Sequence, residues 1–159
     1  LMVTHDQKEA FAMADNVAIM NQGRIEQYAP PHQLYTQPGS RFVAEFIGEG
    51  SFINAKAIGE NRYKTVVGEI EAKSFGQVNS ENMTLFLRPE HVSITQATDA
   101  SQSATVVETQ FRGRNYLCTL EFSNGERVKG FYGTSMPLAK NDRMGIWLNL
   151  EQPCLFPQQ

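Results

Sequence analysis

Two short stretches place reactive side chains where they could act. In VTHDQKEA, His5 stands between an apolar run and the start of a helical pattern. An imidazole at the C-terminal edge of a strand points into the crevice where α/β sheets hold ligands. Taken alone, such a histidine reads more readily as a cap or a satisfied loop imidazole. In FRGRNY, Phe111 and Tyr116 flank Arg112 and Arg114. Aromatic faces beside guanidinium groups can stack on and neutralise single-stranded nucleic acid or a small anion. The plainer reading is a hairpin turn at Gly113 with solvated arginines. Cys118 and Cys154 form no CxxC, and with His5, His32 and His91 they make no metal-ligand spacing. In YLCTLEF, Tyr116, Cys118, Leu120 and Phe122 share one face of an alternating strand, which predicts a buried thiol rather than a nucleophile. No Ser/His/Asp or Cys/His set offers a nucleophile with its base, which argues against a complete small hydrolase.

Composition narrows the partners. Net charge is −3, charged residues are 19% of the chain, and no dense Lys/Arg block occurs. A protein whose main partner is nucleic acid or an anionic membrane would carry such a block. No apolar run reaches the roughly 20 residues that span a bilayer, and no signal-peptide pattern is visible. Two scattered cysteines suit a reducing cytoplasm. Asn82-Met83-Thr84 is a glycosylation sequon that has meaning only in a secreted chain.

The elements that would position these residues change character near Gly48. Leu1-Met2-Val3 reads as a strand buried on both faces. Asp6 and Glu9 fit a capping box for a helix from about Gln7 to Ala14, with Ala10, Met13 and Ala14 inward. A hairpin follows, turning at Asn21-Gln22-Gly23. Pro31 opens a short helix that must stop before Pro38, and Ser40 caps RFVAEFI, which Gly48 ends. Beyond Gly48 the period is two. The predicted strands are FINAKAI, RYKTVV, EIEAK, TLFLR, VSITQ, ATVVETQF, YLCTLEF, RVKGFY, RMGIWLNL and CLF, with turns at Gly59-Glu60-Asn61, Ser123-Asn124-Gly125 and Lys140-Asn141-Asp142. That spacing predicts a small barrel or sandwich. TDASQS, from Thr98 to Ser103, reads as a link between two subsets of strands. Arg88-Pro89-Glu90 reads as a strand end, since Pro89 cannot donate to a ladder, with Arg88 and Glu90 paired across the turn.

The run VTHDQKEAFAMADNVAIMNQGRIEQYAPPHQLYTQPGSRFVAEFIG resembles the end of the nucleotide-binding domain of ABC importer ATPases. LRPEHVSI, ATVVETQFRGRNYLCTLEFSNGERV and GIWLNLEQPCLF resemble the TOBE (transport-associated OB-like) regulatory domain of the same importers. The resemblance implies a mainly β chain, an OB-like barrel preceded by an α/β remnant, divided as residues 1–48 and 49–159. It implies that His5 is the switch histidine that hydrogen-bonds the γ-phosphate of ATP. The remaining machinery is missing from this sequence: there is no GxxxxGK[ST], no LSGGQ-like signature and no strand ending in Asp-Glu. Phosphoryl transfer needs cation, lysine and backbone donors together, whereas one hydrogen bond to a charged group contributes about 1.5–3 kcal/mol. ATP and Mg²⁺ are therefore expected in a full-length parent and no cofactor in this chain, which reads as a C-terminal fragment without ATPase activity of its own. Implied partners are a second ATPase subunit in a homodimer and transmembrane permease subunits at the inner face of the cell membrane, with no nucleic acid. A regulatory ligand, if bound, would meet Arg112, Arg114 and Tyr116. FIGEGSFINA, from Phe46 to Ala55, resembles ferric-iron importers first and polyamine importers second, with phosphonates or sugars behind. The rival expectation is an autonomous OB-type module for oligonucleotide or oxyanion.

Overall fold

Local signals set the first elements. Asp6 accepts the N–H groups of Lys8 (2.8 Å) and Glu9 (3.2 Å), and so starts α1, Gln7–Met13. Glu9 does not reach back to the cap as a capping box requires. Its carboxylate accepts the Thr4 hydroxyl at 2.7 Å, and the Thr4 oxygen accepts the Asp6 N–H at 3.0 Å. The threonine thus relays the second half of the cap. The computed structural model describes residues 2–72, 81–96, 102–133 and 138–158. It falls into two compact units, Leu1–Glu49 and Gly50–Gln159.

In the first unit β1 (Val17–Asn21) and β2 (Arg24–Ala29) form a hairpin. Gln22 and Gly23 both take positive φ, 47° and 77°, as the tightest two-residue hairpin turn demands. A register shift between Ile19 and Met20 leaves Glu26 of β2 as the extra residue, while β1 keeps its alternation and turns Ile19 inward. Helices α2 (Pro31–Thr36) and α3 (Arg41–Ile47) follow, and the Ser40 hydroxyl accepts the Val43 N–H at 3.2 Å. The Gln27 side chain ties the helix connection to the hairpin, donating to the Gln37 carbonyl at 3.1 Å and accepting the Gly39 N–H at 2.7 Å. The core is small: Ile19, Ala29, Leu34, Val43 and Ile47, with Phe11, Val17, Tyr35 and Phe42 against it.

Two expectations for this unit need correction. Met13 is 73% exposed, and Phe11 is the α1 residue that joins the core. Seven residues make two turns, so a small rotation of the helix exchanges one apolar position for another. Met2 and Val3 are exposed and lie in no strand, because no strand among the described residues pairs with them. Leu1 lies outside the described residues.

The second unit contains β3 (Ser51–Gly59), β4 (Arg62–Thr65), β5 (Gly68–Glu71), β6 (Asn82–Leu87), β7 (Val92–Gln96), β8 (Gln102–Phe111), β9 (Asn115–Glu121), β10 (Arg127–Gly133), β11 (Arg143–Leu148) and β12 (Cys154–Pro157). Each falls within or overlaps one predicted strand. β4 stops earlier than expected, since Val66 and Val67 form the turn to β5, held by Thr65 on Gly68 O (2.8 Å) and Val67 N–H on the Thr65 oxygen (3.2 Å). β7 to β11 close a barrel in the order β10-β7-β11-β8-β9. The remaining strands form an open sheet, β12-β6-β3-β4-β5. One apolar core serves both, including Leu85, Leu87, Val106, Cys118, Leu120, Val128 and Ile146. The fold is mainly β with an OB-like closed barrel.

The chain leaves the sheet for the barrel at the 3-10 turn Pro89–His91, not at TDASQS. β7 and β8, on either side of TDASQS, flank the same strand β11. Residues 98–101 of that stretch lie outside the described residues, and Gln102 and Ser103 open β8. Barrel closure runs through β10 beside β7, a parallel pair at Phe131 and Ser93. A Cβ on Gly130 would stand 2.9 Å from the Val92 carbonyl oxygen, so only glycine lets these strands approach.

Candidate functional site

His5 lies in the first unit, exposed, immediately before the Asp6 cap. Its place at the head of α1 follows from the chain turning at Thr4-Asp6, where both side chains bond the helix start. Arg112, Arg114 and Tyr116 lie in the second unit, where the β8–β9 hairpin brings them together.

That hairpin is built by register. Phe111 pairs with Tyr116, and the Arg112 N–H donates to the Asn115 carbonyl at 2.8 Å, so the chain reverses within Arg112–Asn115. Gly113 takes φ 86°, a conformation that Cβ-bearing residues rarely adopt. Arg112 and Arg114 are exposed, whereas Tyr116 is half-buried against the core. The exposed ring is Phe111, at 59%, with its centroid 5.2 Å from that of Tyr116. Phe111 was not among the candidate contacts. Strand alternation gives its pairing partner only once the hairpin register is known.

The Arg88 element is inward-facing. Arg88 is 2% exposed, with its guanidinium carbon 4.7 Å from the Phe86 ring centroid. Arg88 N–H donates to His91 Nδ1 at 3.2 Å, and the His91 carbonyl accepts the Asn149 N–H at 2.9 Å. Burial holds the His91 imidazole below its ordinary value; the Glu90 carboxylate opposes this and Arg88 adds to it. Burial raises the Cys118 thiol, and it raises Cys154 against the opposing charge of Arg88. Both cysteines are free. With pKa values raised, neither is an activated nucleophile. Among the described residues no group of three or more His, Cys, Asp and Glu side chains could hold a metal ion, and no helix is long and apolar enough to cross a membrane.

A closed OB-like barrel entered through LRPEHV, whose last strand β11 leads through LEQPCLF back to the sheet at β12, is the frame in which a family can be sought. The TOBE domain profile matches residues 85–156. The segment from Leu85 to Phe156 is thus similar to the TOBE domain. Its first matched residues lie in β6 and its last in β12, so the TOBE match takes in every strand of the barrel and two strands of the sheet. Three relatives extend the comparison. The spermidine/putrescine import ATP-binding protein PotA of Pseudomonas aeruginosa is 37% identical over 146 residues, 85% of this chain and 40% of that protein. The sn-glycerol-3-phosphate import ATP-binding protein UgpC of Vibrio cholerae is 37% identical over 164 residues, 99% of this chain and 43% of that protein. The sulfate/thiosulfate import ATP-binding protein CysA 2 of Chromobacterium violaceum is 45% identical over 94 residues, 59% of this chain and 25% of that protein. The chain thus spans less than half the length of the relatives it matches. It is similar to the C-terminal region of ABC importer ATP-binding subunits, and its residues 85–156 match the TOBE domain family.

Proposed function

We propose that this chain is the C-terminal regulatory and dimerising part of the ATP-hydrolysing subunit of an ABC importer. The observation that carries the reading is the match to UgpC over 99% of the chain, through both units rather than the TOBE domain alone. Residues 1–48 are then the end of the nucleotide-binding domain and residues 49–159 the TOBE regulatory domain, a division supported by the unit break between Glu49 and Gly50.

In the assembled subunit His5 donates to the γ-phosphate of ATP. Its exposed place ahead of the Asp6 cap leaves the imidazole free to face a nucleotide. The residues present here do not by themselves make a site for ATP and Mg²⁺, since no phosphate-cradling loop occurs in the sequence. The partners are a second copy of the subunit and the permease subunits, at the cytoplasmic face of the membrane. Arg112, Arg114 and Tyr116 are the regulatory contact.

The relatives carry solutes of unrelated chemistry by their names: a polyamine, a phosphate ester and sulfate or thiosulfate. The solute is therefore read from this segment only indirectly. Ferric iron, expected first from FIGEGSFINA, has no counterpart among these three. Polyamine, expected second from Phe52 and Asn54-Ala55, is supported by PotA and is the solute we assign.

The test is the whole subunit assembled with its permease. His5→Ala is expected to lower ATP turnover by about a hundredfold or more while nucleotide still binds, as for loss of one preorganised donor to a developing charge. Spermidine uptake is expected and ferric uptake is not. Full turnover in the variant would remove His5 from the reaction, and uptake of iron alone would restore the first expectation.

A further inference from the structure

Phe111, Tyr116 and Tyr132 are level with one another on three adjacent strands. Phe111 is registered to Tyr116 across β8–β9, and Tyr116 to Tyr132 across β9–β10. Directly opposed residues of antiparallel strands lie on one face, so the three rings form a row. It ends at Phe111, the most exposed of them. Arg112 and Arg114 stand beside that end. No Asp or Glu occurs between Glu108 and Glu121, nor between Glu126 and Asp142. The hairpin between Glu108 and Glu121 thus contributes two arginines and no carboxylate of its own, on a chain whose net charge is −3.

Shape decides the class of occupant. Small-molecule sites are concave and enclose most of the ligand. Here every residue from Glu108 to Arg114 is exposed, so among the described residues the hairpin tip presents a projecting end without enclosing walls. Single-stranded nucleic acid needs a basic groove that tracks several phosphates, and two arginines on an acidic chain do not supply one. Tyrosine and arginine around an exposed ring are the composition of protein-interface anchors. We propose that the end of the β8–β9–β10 sheet, with Phe111, Arg112 and Arg114 at its tip, docks an acidic segment of a partner protein that carries an apolar side chain. The apolar side chain packs on Phe111, and carboxylates flank it on the two guanidinium groups. The proposal rests on reading this tip as the regulatory contact, and replaces a small ligand there by a protein.

The test pans a random-peptide library on the chain, with Arg112→Glu/Arg114→Glu, Arg112→Gln/Arg114→Gln, Phe111→Ala and, as a control away from the tip, Lys56→Glu. Enriched peptides are expected to be rich in Asp and Glu around an apolar residue, with binding that weakens as salt rises. A resynthesised peptide is expected to bind about tenfold more weakly to the Glu pair and to Phe111→Ala, and unchanged to Lys56→Glu. The Gln pair, which adds no repulsion, is expected to lose the acidic preference. Unchanged melting curves establish that the variants fold. Enrichment without acidic bias, or the same peptides enriched by the Glu pair, overturns the proposal. So does oligothymidylate binding that the Glu pair abolishes, which reassigns the tip to nucleic acid. None of these outcomes touches the importer reading, which turnover and uptake decide.

Discussion

The two units bury apolar surface in different ways. In the second, sheet and barrel share one core in which Leu85, Leu87, Val106, Leu120, Val128 and Ile146 are all fully buried. In the first, α1 has no fully buried residue, and Met13, Met20, Ile25 and Tyr28 are each more than 60% exposed. Caps, a tight turn and the Gln27 clamp hold the first unit together as much as its small core does. Local hydrogen bonds of that kind contribute about 1 kcal/mol each. A closed barrel removes its own edges and gains cooperativity from strands distant in sequence. The comparison teaches that the first unit should open separately and at lower cost than the second.

The largest effect expected from this difference follows truncation of each core. Leu120→Ala should destabilise the second unit by about 2–5 kcal/mol. Leu34→Ala should melt the first unit while leaving barrel amides protected, with hydrogen exchange as the readout. Loss of barrel protection in Leu34→Ala would mean that the two units unfold as one.

A smaller effect sharpens the claim that capping matters in the first unit. Asp6→Ala removes the acceptor for two N–H groups and is expected to cost about 1 kcal/mol. Exchange should quicken in α1 and nowhere in β7 to β11.

The smallest effect concerns pH and belongs to the second unit. The folded protein holds His91 below its ordinary value of 6.5, so folding favours the neutral ring. The unfolded chain then binds the extra proton first as pH falls. Stability from this group is present above pH 6.5 and declines as pH drops from there towards the folded value. His91→Gln should flatten that part of the profile. An unchanged slope in the variant would assign it to other groups.

The helix starts were legible because a cap is chosen by neighbours: Asp6 and Ser40 bond N–H groups two or three residues away. The strands of the second unit were legible for the same reason, since alternation and turns such as Ser123-Asn124-Gly125 are local patterns. The inward face of α1 was not, because Phe11 and Met13 compete on a helix of two turns and the core decides between them. Arg88 was legible as a strand end but not as a buried cation over Phe86. Of the candidate site, the arginines and the turn at Gly113 were legible. The ring that reaches solvent, Phe111, was not.

Reading along the chain was enough to place the helices and most strands and turns, though not the state of Met2-Val3 or Val66-Val67, and to show the family they resemble, because each of these is written in residues close together. Folding alone settled that β10 lies parallel to β7, that the sheet gives way to the barrel at Pro89–His91, and that Phe111, Tyr116 and Tyr132 stand in one row. Apart from the local hairpin pair Phe111–Tyr116, these rest on pairings between strands separated by many residues, and their register depends on which side chains the closed core can accommodate.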